Sequence, residues 1–168
     1  MREIEYNRNL AVSYARKWAF SRNPAYYDFD GIGGDCTNFA SQCLYAGVDV
    51  MNYTPDLGWY YNSPTDRSAG WTGVEYFYNF LIANAQTGVG TGAGPFAKLV
   101  GISELQIGDF IQLGRETGDF YHTPVVVGFT ANGVPLVAAH TNDAYGRALS
   151  SYSFERLRCI RILGGRVE

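Results

Sequence analysis

The spacing of apolar and polar positions changes once along this chain, from a helical period to an alternating one. Over residues 6–20, Leu10, Tyr14 and Trp18 recur every fourth position with Ala11 and Ala15 beside them, which predicts an amphipathic helix. Asn23-Pro24 ends it, because a residue before proline is pushed out of helical geometry. A turn-rich stretch closes with Gly31-Ile32-Gly33-Gly34, and Asp35 then reads as the N-cap of a second helix from Cys36 to Ala46 with Gly47 as its stop. Residues 48–70 carry Pro55, Gly58, Pro64 and Gly70 and read as loop. Trp71 to Asn84 reads as a third helix, with Val74, Phe77, Tyr78 and Leu81 on one face and Gly73 weakening its start. Beyond about residue 98 the pattern is that of strands: Phe110–Leu113 after the Gly108-Asp109 turn, the β-branched run in Thr123–Thr130, a return over Val134–His140 after Ala131-Asn132-Gly133, and Leu157–Leu163. Helices first and an antiparallel sheet second is an α+β layout.

Composition narrows the class. The chain has 168 residues, the usual size of one domain, and its 46% hydrophobic content is enough for a core without staples. A net charge of −3 with both signs mixed argues against nucleic acid or an anionic membrane surface as partner. The 13 tyrosines fit a groove for polar, extended substrates and a Tyr-rich core and surface equally well. Three cysteines cannot all pair, so disulfides are not the framework. The N-terminal MREIEYNRNLAV lacks the apolar run of a signal peptide, and no stretch approaches the ~20 apolar residues of a membrane span. The expectation is a soluble single domain, residues 1–168, with export of a longer parent and the oligomeric state left open.

Cys36 is the first chemical candidate. At a helix start, unpaired backbone N–H groups and the positive dipole end favour thiolate and can hold an oxyanion. The preceding glycines allow a substrate backbone to come close. The same position suits a small buried helix residue equally well. Cys43, two turns further on, gains nothing from the dipole and reads as packing. A Cys nucleophile takes a His base, and the chain holds only His122 and His140. They fall on strands paired across a hairpin, where one imidazole can orient the other, with Asn142 and Asp143 just beyond as alternative orienting groups. Pro124, two residues past His122, predicts an edge or bulge there. Zinc on Cys36, Cys43, His122 and His140 is the rival, disfavoured by the six residues separating the cysteines. No metal or cofactor is expected. Asp35 reads as an N-cap before a catalytic acid. Asn38 and Gln42 read as hydrogen-bonding within the helix packing. Asn52–Trp71, with Trp59, Tyr60, Tyr61 and Trp71, reads as a groove wall or as a loop covering the core.

The run Gly33-Gly34-Asp35-Cys36-Thr37-Asn38-Phe39-Ala40-Ser41-Gln42-Cys43-Leu44-Tyr45-Ala46-Gly47 resembles the signature of the putative amidase domain family within the NlpC/P60-like, papain-like superfamily. Tyr6-Asn7-Arg8, Ala11, Tyr14-Ala15, Asn23-Pro24 and Tyr27 resemble the family's lead into that motif. Leu105–Asp109 resembles its entry to the sheet, and His122-Thr123 and Ala139–Asp143 its two His-bearing strands. The resemblance implies a papain-like fold and cleavage of amide bonds, with peptide or peptidoglycan-like substrates. It implies Cys36 as nucleophile, His122 as general base and His140 as third member, with a Tyr ahead of the Cys (Tyr26 or Tyr27) aimed at the oxyanion. The rivals are acyl transfer to an amine on the same fold and a non-catalytic binding module.

Overall fold

The computed structural model describes residues 1–86 and 92–168. In chain order its elements are β1 (Arg2–Ile4), α1 (Arg8–Trp18), α2 (Cys36–Val48), β2 (Tyr61–Ser63), β3 (Asp66–Arg67), α3 (Ala69–Thr72), α4 (Val74–Ala85), β4 (Gly94–Val100), β5 (Phe110–Gly114), β6 (Phe120–His122), β7 (Val125–Phe129), β8 (Pro135–Ala139), β9 (Ala144–Ala148) and β10 (Arg156–Val167). Among the described residues, four helices accompany a curled antiparallel sheet ordered β1-β10-β5-β7-β8-β9, with β4 on the other side of β10 and β6 on β5. A small β2–β3 hairpin stands apart. None of these helices is long and apolar enough to cross a membrane.

The mixed α/β architecture follows the change of period in the chain, with differences that have physical causes. Asn7 caps α1, its side chain accepting from Leu10 N–H at 3.0 Å. The buried stripe of α1 is Ala11 and Ala15, continuing to Ala19, while Leu10 is 53% exposed. Small residues let α1 lie close to α2, so its large apolar side chains sit at the margins. Helix α2 does not stop at Gly47: it runs to Val48 and ends at Asp49 in the left-handed region (φ 52°). Gly47 is required for close approach, since a Cβ there would lie 2.3 Å from Cε1 of Tyr6 and 2.7 Å from the Asn7 carbonyl. The expected third helix is two, α3 and α4, because Gly73 is extended (φ −104°, ψ 131°) between them.

Trp59 and Trp71 are wholly buried, so these indoles of the loop before α4 cover the core, while Asn52, Thr54, Asp56, Leu57, Gly58 and Gly70 of the same stretch line a cavity of about 680 Å³ against α4. The loop's anchors are the polar residues of α2. Ser41 Oγ donates to the Trp71 carbonyl at 2.8 Å and accepts from Trp59 Nε1 at 3.0 Å, and Asn38 Oδ1 accepts from Trp71 Nε1 at 3.0 Å. Gln42 Oε1 accepts from the Tyr14 hydroxyl at 2.5 Å. A helix buried on every side carries polar side chains because each has a partner.

Two motif fragments about a hundred residues apart meet in the fold. Arg8 Nη1 donates to Asp109 Oδ1 at 2.7 Å, and Nη2 donates to the Ile162 carbonyl at 2.7 Å. The Asp109 carboxylate, fully buried, also accepts from the backbone of Gln106 (2.7 Å) and Ile162 (2.9 Å). Tyr6 donates its hydroxyl to Gly108 O at 2.8 Å. This cluster fastens α1 to the start of β5 and the middle of β10. Removing one partner of a buried pair leaves the other uncompensated, at a cost of about 3–5 kcal/mol. Asp109→Ala is therefore expected to lower unfolding stability by roughly that amount in urea titration, and a variant within ~1 kcal/mol of wild type would show that the cluster is dispensable.

Candidate functional site

Gly33 and Gly34 (φ 85° and 98°) turn the chain into α2, whose first residue is Cys36. Asp35 occupies the cap position but makes no side-chain cap bond to the helix. Its carboxylate, 1% exposed, faces the other way. Oδ1 accepts from Phe29 N–H (2.9 Å) and from Asn38 Nδ2 (2.9 Å), while Oδ2 lies 2.5 Å from His140 Nδ1. Thr141 Oγ1 accepts from the Asp35 N–H at 3.2 Å. The N–H groups of Cys36 and Asn38 consequently donate to no backbone or side-chain acceptor among the described residues. The first turn of α2 keeps donors free beside the thiol because its cap residue is engaged elsewhere.

Cys36 Sγ, in a residue 8% exposed, lies 3.9 Å from the Tyr121 carbonyl and 3.8 Å from Thr37 Oγ1. Thr37 Oγ1 in turn meets Thr123 Oγ1 at 3.1 Å, and Gln112 Nε2 donates to Thr123 Oγ1 at 3.1 Å. The thiol is thus held against the backbone just before His122 and linked, through the Thr37 hydroxyl, to the Thr123 side chain just after it. His122 closes β6 opposite Leu113, and Thr123-Pro124 interrupts the line into β7, so the break expected from Pro124 lies between two short strands. Among the described residues the imidazole makes no hydrogen bond, to Sγ or to any other group. Its ring faces Tyr152 with centroids 5.8 Å apart. Burial, aided by the charge of Arg147, pushes His122 down to about 4, so it is neutral at pH 7.

His140 stands apart from His122. It is 1% exposed and stacks on Phe39 with centroids 3.9 Å apart. Nδ1 pairs with Asp35, and Nε2 lies 2.7 Å from the Trp18 carbonyl and 3.1 Å from Arg22 Nη1. The expectation that one imidazole orients the other is therefore corrected: both His140 nitrogens are occupied at the base of α2. Asp143 is held by Arg22, whose Nη1 and Nη2 donate to it at 3.0 Å each, together with Asp30. Asn142 is an exposed turn residue (φ 58°). Tyr26 stacks on Trp71 in the core (5.9 Å), and Tyr27 is 42% exposed with its ring edge on Phe29 (4.9 Å), so neither is brought to the thiol by any described contact. Cys43 is wholly buried, and no group of three or more His, Cys, Asp or Glu among the described residues is arranged to hold a metal ion.

Burial also overrides the depressed thiol pKa expected for a helix start. Desolvation pushes the Cys36 thiol above its ordinary value, although the Thr37 hydroxyl and the amides of Thr123 and Thr37 pull the other way. The resting pair is therefore neutral thiol and neutral imidazole. Arg22, Arg147 and Tyr152 join the neighbourhood, and so do Thr37, Thr123 and Thr141, which the sequence offers only as members of the motif runs around Cys36, His122 and His140. For Thr37 and Thr141 the signal is adjacency to Cys36 and His140; for Tyr152 there is none.

Against known proteins, the family model described as putative amidase domain matches residues 5–162, and the chain belongs to that family. Uncharacterized protein YhbB of Bacillus subtilis (strain 168) is similar to it, 36% identical over 146 residues that make up 85% of this chain and 44% of the relative. The chain thus spans less than half of that relative's length. No solved structure matches. The family's description supports amide hydrolysis as the class of activity.

Two outcomes follow. Asp35→Ala strands the donors of Phe29, Asn38 and His140 and is expected to cost about 3 kcal/mol or more, whereas His122→Ala, which breaks no hydrogen bond, is expected to cost about 1 kcal/mol. Urea unfolding of both variants checks this, and the reverse ranking contradicts it. In free protein, iodoacetamide is expected to modify Cys36 slowly at about pH 6 and faster as pH rises, ahead of Cys43 and Cys159, because only thiolate reacts. Rapid labelling in mild acid would show a thiolate already formed.

Proposed function

We propose that this protein is a cysteine-dependent hydrolase of amide bonds, a single papain-like (NlpC/P60-like) domain in which Cys36 is the nucleophile and His122 the general base. The observation that carries the reading is the division of labour between the chain's two histidines. His140 has both ring nitrogens occupied, whereas His122 has neither, and the carbonyl of Tyr121, the residue before His122, lies 3.9 Å from the thiol sulfur. A neutral His122 is the form that accepts a proton.

Reaction begins when the imidazole swings onto Sγ and takes the thiol proton while sulfur attacks the amide carbonyl. The S–C bond forms, and the oxyanion is held by the free N–H groups of the α2 start. The C–N bond then breaks, and His122 gives its proton to the departing amine. Water, deprotonated by the same imidazole, attacks the thioester carbonyl; the C–S bond breaks, the acid leaves, and the imidazolium returns its proton to sulfur. Peptidoglycan stem peptides are the proposed substrate class, resting on resemblance to the NlpC/P60 proteins. Asp35 and His140 position Cys36 and do not touch the reacting atoms.

Mass spectrometry of defined muropeptides incubated with the protein tests this. Cleavage is expected, abolished in Cys36→Ala and lowered ~10²-fold or more in His122→Ala. Equal products from the Cys36→Ala protein would exclude it, and products joined to an added amine would move the reaction from hydrolysis to acyl transfer. The acid limb of kcat/KM is expected near pH 4. It should move upward in Arg147→Met, because removing a nearby cation makes protonation of His122 easier.

A further inference from the structure

A line of buried polar side chains leads from the sheet to the proposed nucleophile. Arg158 of β10 stands directly opposite Gln112 of β5, and its Nε donates to Gln112 Oε1 at 2.8 Å. The guanidinium is fixed by Tyr78 and Phe120, whose ring centroids lie 3.6 and 3.9 Å away, and by Glu75, which accepts from Nη2 at 3.1 Å. Gln112 Nε2 donates to the Val74 carbonyl at 3.0 Å and to Thr123 Oγ1 at 3.1 Å. Thr123 Oγ1 meets Thr37 Oγ1 at 3.1 Å, and Thr37 Oγ1 meets Cys36 Sγ at 3.8 Å. Gln112 is wholly buried, and Thr37 and Thr123 are each 1% exposed.

The inventory of donors and acceptors gives this line one direction. A guanidinium only donates and a carbonyl only accepts, so Arg158 and Val74 together fix the Gln112 amide with its N–H groups toward Thr123 and Val74. Thr123 Oγ1 therefore accepts from Gln112, and its own proton has one acceptor within reach among the described residues, Thr37 Oγ1. Thr37, accepting from Thr123, turns its proton to Sγ, and the S–H in turn points at the Tyr121 carbonyl, 3.9 Å away and next to His122. The reverse order would leave the buried Thr123 proton without a partner, which is costly. Hydrogen bonds aligned in one sense polarise one another, and a donor facing sulfur gains strength when the sulfur becomes an anion. Burial and the Asp35 carboxylate oppose ionisation of the thiol and His122 is neutral at pH 7, so the hydrogen bond from Thr37 is the main side-chain influence toward thiolate.

Resting on the assignment of Cys36 as nucleophile, we propose that Thr37 is the side-chain donor that stabilises the Cys36 thiolate, and that Gln112, acting through Thr123, is a positioning residue that keeps the Thr37 proton turned toward sulfur. When the thiol proton leaves for His122, sulfur keeps a donor already aimed at it, and no hydroxyl has to turn during the attack.

Alkylation of Cys36 by iodoacetamide at about pH 8, below the thiol's midpoint, tests this without turnover, with labelling of the buried Cys43 and Cys159 as the control for a loosened structure. Thr37→Val is expected to slow Cys36 labelling roughly threefold to tenfold. One hydrogen bond to an anion is worth at least about one pH unit of acidity, and the higher nucleophilicity of a more basic thiolate returns up to about half of that on a logarithmic scale. Thr37→Ser should restore the wild-type rate. Gln112→Glu supplies an acceptor for the Thr123 proton and lets the line reverse, so it should slow labelling too, and adding Thr37→Val should then change the rate by less than about twofold. If Gln112→Glu does not fold, Thr123→Val takes its place: it removes the donor that turns the Thr37 proton, and it is expected to slow labelling, though less than Thr37→Val does. A wild-type rate in Thr37→Val, or slowing that Thr37→Ser does not reverse, would overturn the proposal. So would a full further loss on adding Thr37→Val to Gln112→Glu, or a wild-type rate in Thr123→Val. The expected slowing with no Cys36-dependent cleavage of any amide would leave the donor line standing and overturn the hydrolase reading, and Cys36-dependent cleavage with unchanged labelling would do the opposite.

Discussion

The buried carboxylate of Asp35 is the constraint on which the site depends. It stands one residue before Cys36, in the position where an aspartate ordinarily bonds back into its own helix. Here it binds Phe29, Asn38 and His140, and so joins the incoming loop, the first turn of α2 and the end of β8 at one point. Two consequences follow from this single displacement. The helix start retains free N–H donors next to the thiol, and His140 becomes part of the support beneath Cys36. The other histidine, at the end of β6, is left with open nitrogens. The start of α2 is positioned by hydrogen bonds to Phe29, Asn38 and His140, none of which involves the thiol.

The same logic extends outward. Helix α2 is buried on all sides yet polar at Thr37, Asn38, Ser41 and Gln42, and between them these side chains hold three other parts of the molecule: Thr37 the approach to β7, Asn38 and Ser41 the Trp59–Trp71 loop, and Gln42 α1. The Arg8–Asp109 cluster does for α1 and the sheet what Asp35 does for α2. Polar groups in a low-dielectric interior specify one arrangement because any other leaves them unpaired. That explains why a stretch rich in Asn, Ser, Gln and Thr forms the most buried helix of the protein.

Much of this is legible in the chain where a local rule acts alone. The first helix within residues 6–20, the start of α2 at Cys36, the Ala131-Asn132-Gly133 hairpin and the break at Pro124 follow from apolar period, glycine and proline geometry and turn residues close by in the chain. What is not legible is decided by partners far along the chain. Gly47 looks like a helix stop but is a contact for Tyr6. Gly73 splits one helical period into two helices. Trp59 and Trp71 look like groove residues but fill the core, because Asn38 and Ser41, about twenty to thirty residues earlier, receive their indole N–H groups. Asp35 reads as a cap, and only the return of β8 with His140 reveals its other role. The thiol's acidity is misjudged for a similar reason: a helix dipole is visible locally, whereas desolvation depends on what the rest of the fold places around the sulfur.

The central claim is that Cys36 itself becomes acylated. Rapid acid quench during turnover of an amide substrate, followed by intact-mass measurement and peptide mapping, examines it directly. The expected result is a transient mass increase equal to the acyl group, located on Cys36 and absent from Cys36→Ala. Turnover at full rate with no adduct at any time point, or an adduct on another residue, would contradict it.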